Sequence, residues 1–397
     1  MELLAFALAG LVLLWGGVLL AFARPLVARW REPVLRQPVL VIESDDWGAG
    51  PLEQADALQA LASLLRRVHD RSGRRALMTL GVVLEVPDGP RVAASGCREY
   101  HACTLADARF AAVRQAIQAG VADGVFVPQL HGQCHYWPPA LLAAARLDEG
   151  VRAWLTAAEP GPTEVLPAAL QTRWVDAARL PAAALPAAAI AAAVAEECAN
   201  YASIFGTPPK VAVATTFVWT EAVEEAWARC GVEAVVSPGA RATGRDAQGR
   251  PAGVDRAMLS GQRARAGQIY LVRDVYFEPV RGHAPQQLVA GLLARARQGR
   301  ACLVETHRFN FLQARDASLA ALEAGLAAAL AACPALRFAT PLELARALRE
   351  RDPAWVDTRW RPRLAAWRAR LDEIPRFRRA ARLSGLQFPL ALLRGER

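Results

Sequence analysis

Lysine is almost missing from this chain. Of its 47 basic residues, 46 are arginine and Lys210 alone is lysine. Beside the abundant alanine, this skew reads as a compositional bias rather than a functional signal. The arginines are scattered, with no basic stripe interleaved with aromatics. The formal net charge of +9 therefore does not point to a nucleic-acid partner, and anionic lipid or an acidic polymer remains as its explanation. No C-x-x-C pair occurs among the seven cysteines, Cys97, Cys103, Cys134, Cys198, Cys230, Cys302 and Cys333, which removes a structural zinc knot. Their odd number argues against a fully oxidised exported protein. Cys97 and Cys103 are close enough in sequence to bridge across a loop; the others are expected as small core residues. Histidine is scarce, with six residues in 397, and no internal repeat is visible.

What is present begins with a long apolar run, Leu3 to Ala23. At about 1.5 Å per residue it is long enough to cross a hydrocarbon core of ~30 Å. Ala21-Phe22-Ala23 also resembles a signal cleavage site, but the run exceeds a typical signal core and is led by Glu2 rather than by a basic residue. The expectation is a retained single-pass anchor in the inner membrane. Arg24, Arg29 and Arg31 follow the run and favour a cytoplasmic body, the periplasmic side being the alternative. The chain then divides into an anchor and linker at 1–32, a catalytic-sized domain at 33–350, and a basic, Trp-containing helical extension at 351–397.

Apolar runs that read as buried strands recur at Val39–Ser44, Ala76–Leu84, Gly124–His131, Val211–Phe217, Ala234–Ser237, Ile269–Val275 and Cys302–His307, with a weaker eighth at Leu336–Thr340. Between them, Leu52–His69, Leu105–Ala119, Ile190–Phe205, Glu221–Cys230, Pro285–Gln298 and Ser318–Ala332 show helical spacing. Alternating strands and helices imply a parallel sheet, and seven or eight such units imply an α/β fold, a distorted (β/α) barrel. Leu147–Pro186 interrupts the pattern and reads as a helical insertion over the barrel. Pro238–Gly267 reads as a long loop or hairpin. Phe377 to Leu393 mixes basic and apolar residues, as a helix packed on the barrel or an interfacial helix would.

Three segments carry chemistry at strand ends, where barrel sites lie. Ile42-Glu43-Ser44-Asp45-Asp46-Trp47-Gly48 puts two carboxylates at the end of an apolar strand. Adjacent side chains on an extended strand point opposite ways, so one carboxylate could hold a metal while the other takes a proton; a turn or helix cap would use the same residues. Gln129-Leu130-His131-Gly132-Gln133-Cys134-His135 holds two histidines that face one ion if the chain turns helically after His131. Leu303-Val304-Glu305-Thr306-His307 ends a buried strand on a lone histidine, a residue that packing alone also explains.

In this order, the series resembles the NodB-homology polysaccharide deacetylases, carbohydrate esterases with a distorted (β/α) barrel. Asp45-Asp46-Trp47-Gly48 resembles their first motif with one inserted Trp, His131 and His135 their His-x-x-x-His, and Val304 to His307, more loosely, their last. The chain looks like a divergent branch carrying Ser-Asp-Asp-Trp-Gly and Gln-Leu-His-Gly-x-x-His. The resemblance implies that Asp46, His131 and His135 bind one divalent ion, Zn²⁺ by preference. It further implies that Asp45 is the general base and His307 the acid that protonates the departing amine, with Asp274 holding its charged form. The substrate would be a polysaccharide or a lipid-linked sugar, losing an N-acetyl or similar acyl group. Trp47 or Trp137 could stack on a sugar ring. One departure is clear: where the family carries an arginine at its third motif, this chain reads Ala214-Thr215-Thr216-Phe217-Val218-Trp219. Arg273 could replace that arginine from another strand. A membrane-tethered, non-catalytic glycan-binding or polysaccharide-assembly protein on the same fold is the alternative.

Overall fold

The computed structural model describes residues 2–159 and 161–392. Nine strands form one parallel sheet: β1 (Val39–Gly48), β2 (Met78–Val83), β3 (Phe126–Leu130), β4 (Val211–Val213), β5 (Ala234–Ser237), β6 (Ile269–Val272), β7 (Val275–Tyr276), β8 (Cys302–His307) and β9 (Arg337–Phe338). Their spatial order is β6-β5-β4-β3-β2-β1-β8-β7. The two ends of this path, β6 and β7, are successive pieces of one extended stretch separated only by Arg273 and Asp274. β6 pairs with β5 while β7 pairs with β8, so the sheet curls back on itself as a distorted barrel.

The strands form where apolar residues run without alternation, because parallel strands covered by helices are buried on both faces. All ten residues of β1 are buried. The eighth run forms only β9, which pairs with Val39 and Leu40 at the start of β1 and lies off the path. Seven staves therefore make the barrel, with Ile269–Tyr276 counted as one.

Helices α3 (Gln54–Arg67), α4 (Ala111–Ala122), α5 (Ala187–Phe205), α6 (Glu221–Arg229), α7 (Pro285–Arg297) and α8 (Arg315–Ala332) occupy the expected places. α3 is typical: Ala57, Leu58, Leu61, Leu64 and Leu65 are buried, at the spacing that lays one helical stripe on a sheet. The Leu147–Pro186 insertion is less helical than expected. It holds one helix, Glu149–Leu155, and a ribbon pairing Val175–Asp176 with Ala183–Ala184, because its prolines break longer helices. Pro238–Gly267 contains two small antiparallel ribbons, as a hairpin reading requires. All seven cysteines are free, so Cys97 and Cys103 do not bridge.

The N-terminal run forms α1 (Glu2–Ala21), followed directly by α2 (Ala23–Arg31). Among the described residues no single helix is long and apolar enough to cross a membrane; Leu8–Ala21 with Ala23–Arg31 qualifies by length and composition only as a pair bent by 67°. The later part of α1 packs on the C-terminal helices α11 (Pro375–Leu383) and α12 (Gln387–Leu392), which follow α9 (Pro341–Glu350) and α10 (Trp360–Arg370). Trp15, Val18 and Phe22 lie against Phe377, Ala381 and Leu386. Fully buried Arg370 ties α10 to the linker by donating to the carbonyls of Arg29, Glu32 and Pro33 at 2.8–3.0 Å. Leu35 N–H donates to Gly299 at 2.8 Å. These terminal helices therefore gather where the strands begin.

Candidate metal centre and acid–base site

The opposite rim, at the strand ends, carries the ionisable side chains. β1 does not continue as a regular strand through the two aspartates. Its pairing with β2 shifts register between Ser44 and Trp47, and Asp46 has φ of +75°, a left-handed conformation that costs a non-glycine residue energy. This bulge, rather than strand alternation, gives the adjacent carboxylates different partners. Gln54 holds the end of the bulge in place, accepting from Gly48 N–H at 2.9 Å and donating to the Gly48 carbonyl at 2.7 Å.

Asp46 faces the two histidines. Its Oδ1 lies 2.8 Å from His135 Nε2 and 3.4 Å from His131 Nε2. His131 Nδ1–H donates to the Val213 carbonyl at 3.1 Å, which leaves Nε2 as the free ligand nitrogen. The histidine rings meet edge to face at 4.8 Å. No helical turn brings them together. Gly132, at φ of +103°, bends an irregular segment that a side-chain-bearing residue would strain. Asp46 Oδ1 and His135 Nε2 are buried, and despite their closeness they are not aligned as a hydrogen bond. Buried polar atoms left this way are costly unless something else satisfies them. One carboxylate oxygen and two imidazole nitrogens within 4.8 Å of one another are the donor set that a divalent cation such as Zn²⁺ takes.

Asp45 sits beside this trio with a different neighbour. Arg273, fully buried between β6 and β7, donates to Asp45 Oδ2 at 2.6 Å and Oδ1 at 3.3 Å. Burial alone would raise the Asp45 pKa, but the Arg273 charge, His131 and the guanidinium hydrogen bond outweigh it and hold the carboxyl below its ordinary value. Asp45 is therefore ionised at neutral pH. Thr216 and Phe217, both at positive φ, turn the end of β4 so that the Phe217 ring lies 5.6 Å from the Arg273 guanidinium carbon. Arg273, from the last stave but one, is thus the arginine that stands beside Asp45.

Gly81 on β2 makes room for Asp45. A Cβ there would stand 2.3 Å from Asp45 Oδ1. Gly81→Ala should cost about 1–3 kcal/mol of stability, as overpacking does, and should lose turnover more severely than that, because the carboxylate must move. Melting temperature and rate on the same sample check this; a parent-like rate would show that the position of Asp45 does not matter.

His307 pairs with Asp45 in the strand register. Its Nδ1 is 2.6 Å from Glu278 Oε1. Burial would lower its pKa, but the Glu278 hydrogen bond and the Asp46 and Asp45 charges outweigh it and push the imidazole up to about 10. Asn310 fixes Glu278 by donating to its other oxygen. This corrects the expectation for Asp274: its side chain pairs with Arg295 at 2.7 Å, outside the site, and Glu278 stands where Asp274 was expected. Glu278→Gln should lower the His307 pKa. An acid works only while protonated, so the high-pH limb of the rate profile should move to lower pH. An unmoved limb would remove Glu278 from this role.

Glu43 and Glu305 complete the cluster. Both approach Arg273, at 3.6 Å and 3.2 Å. Burial pushes Glu43 up to about 7, against the pull of Arg273 and of Gln129, which donates to it at 2.8 Å. The sequence does contain a signal for Glu43 and Glu305: each lies two residues before Asp45 or His307, on the same face of its strand. Glu278 follows β7 in a loop and has no such signal. Trp47 is fully buried, donating to Ser44 Oγ at 2.8 Å, so it cannot stack on a sugar; Trp137 is half-buried.

No protein-family model matches the chain, and no curated protein matches it. Solved structures resemble it distantly. A family 4 carbohydrate esterase from Streptomyces lividans, in complex with acetate, is 12% identical, over 76% of this chain and 92% of that one, with a TM-score of 0.36. A T48 deacetylase with substrate is 12% identical, over 78% and 91%, at 0.33. A 4-alpha-glucanotransferase from Thermococcus litoralis is 9% identical, over 78% and 40%, at 0.40. At such scores, likeness to enzymes of two different activities does not decide between them; the side chains of the site must.

Proposed function

We propose that the protein is a metal-dependent hydrolase that removes N-acetyl or similar acyl groups from a glycan. The observation that carries this reading is the side-by-side placement of two units: the Asp46–His131–His135 donor set, and an ionised Asp45 with a protonated His307 across one strand pair. A divalent cation held by the trio supplies Lewis-acid polarisation of the acyl carbonyl and acidifies water. Asp45, ionised and oriented by Arg273, takes the proton from the attacking water. His307 delivers a proton to the departing amine, and Glu278 stabilises the imidazolium until it does. Splitting base and acid between groups pushed in opposite directions matches what acyl transfer needs at neutral pH.

The non-catalytic glycan-binding reading drew its support from the missing third-motif arginine. Arg273 on Asp45 weakens that support, and a pure binding module has no use for a separate base and acid. The test is a panel of N-acetylated and N-formylated glycans, with released acid and new free amine both measured. Equal amounts of the two products are expected. Sugar binding without either product would favour the binder.

A further inference from the structure

The terminal helices form a surface that the hydrolase reading does not use. α11 packs one face inward through Phe377 and Ala381. Its outward side carries Arg376, Arg379 and Arg382, all exposed. Beside them Leu383 is 81% exposed and Phe388, on α12, 67%. The neighbouring α1 exposes Phe6 at 77% and Leu13 at 76%. Large apolar side chains next to a row of arginines have the make-up of an interfacial membrane surface. Charge complementarity selects an anionic bilayer.

The same contacts fix where the arginines sit along α1. Trp15 Nε1 donates to the Ser384 carbonyl at 2.8 Å, which fixes the arginine-bearing helix beside the later part of α1. Arginines belong at the headgroup level, not in hydrocarbon. We propose that α11 and α12, with the exposed apolar side chains of α1 beside them, dock the protein on an anionic membrane surface. Because these helices gather where the strands begin, the metal centre opens on the far rim. The length of β1 from Val39 to Asp46 separates the two by roughly 20 Å, given strand rise and barrel tilt. A glycan thus reaches the site from the aqueous side.

The test is flotation of the full chain with vesicles of phosphatidylcholine alone and of phosphatidylcholine with phosphatidylglycerol. Binding should be much stronger to the second. Arg376→Gln, Arg379→Gln and Arg382→Gln combined should weaken it by about a hundredfold, at near fivefold per charge. Leu383→Glu with Phe388→Glu should weaken binding to both vesicles, and circular dichroism like the parent's shows that each variant is folded. Lipid binding indifferent to phosphatidylglycerol and to the arginines would overturn the surface. This readout does not depend on turnover, so the proposal stands or falls apart from the hydrolase reading.

Discussion

Asp45→Asn is expected to retain its metal and to lose turnover by about 10²–10⁴-fold, the usual contribution of a general base. The amide keeps the shape of the carboxylate and can still meet Arg273, which donates to Asp45 at 2.6 Å. It cannot take a proton from water. Metal content separates this from simple damage to the site, because Asp45 is directed at Arg273 while Asp46 is directed at the histidines. Asp46→Asn should show the reverse, with weakened metal binding first, since a neutral amide is a poorer ligand. A parent-like rate in Asp45→Asn would assign the base elsewhere, and Glu43, pushed up to about 7, would be the next residue to examine.

Replacing His131 and His135 together by alanine should take the purified protein from about one divalent ion per chain to almost none, and activity should fall with it. His131 Nε2 is left free by the Nδ1 hydrogen bond to Val213. His135 Nε2 has no hydrogen-bond partner in a buried site. With both rings gone, Asp46 is a single carboxylate, too few donors to compete with water. Elemental analysis with equilibrium dialysis checks this. Full occupancy in the double variant would mean that the ion sits elsewhere, for example among Asp45, Glu305 and His307.

Much of this architecture was legible because buried parallel strands write themselves as uninterrupted apolar runs. Val39–Ser44 and Cys302–His307 are such runs, and they become neighbours in register from Leu40 with Cys302 to Asp45 with His307. Asp45, Asp46, His131, His135 and His307 could be picked out because each ends or closely follows an apolar run. What could not be read was local backbone. The left-handed Asp46 and the bend at Gly132 come from tertiary constraint, where side chains crowd one rim, and a rule for regular strands or helices misses both. Asp274 was misplaced for a similar reason. The stretch Ile269–Tyr276 switches partners from β5 to β8 across Arg273 and Asp274, which turns Arg273 inward and leaves Asp274 to Arg295. Glu278 was hidden by lying in a loop, where no periodicity marks which side chains turn inward. The bend after α1 was hidden too, since hydropathy continues smoothly through Phe22 into Ala23.

The central claim is that the Asp46–His131–His135 trio and the Asp45–His307 pair serve one hydrolytic reaction. The most direct measurement is acetate release from an N-acetylated glycan by the full chain, first stripped with a chelator and then titrated with Zn²⁺. Release should be absent in the stripped protein and should rise in step with bound metal, levelling at about one ion per chain. Acetate release that is the same with and without bound metal, or none at all from a fully metal-loaded chain that still binds the glycan, would contradict it.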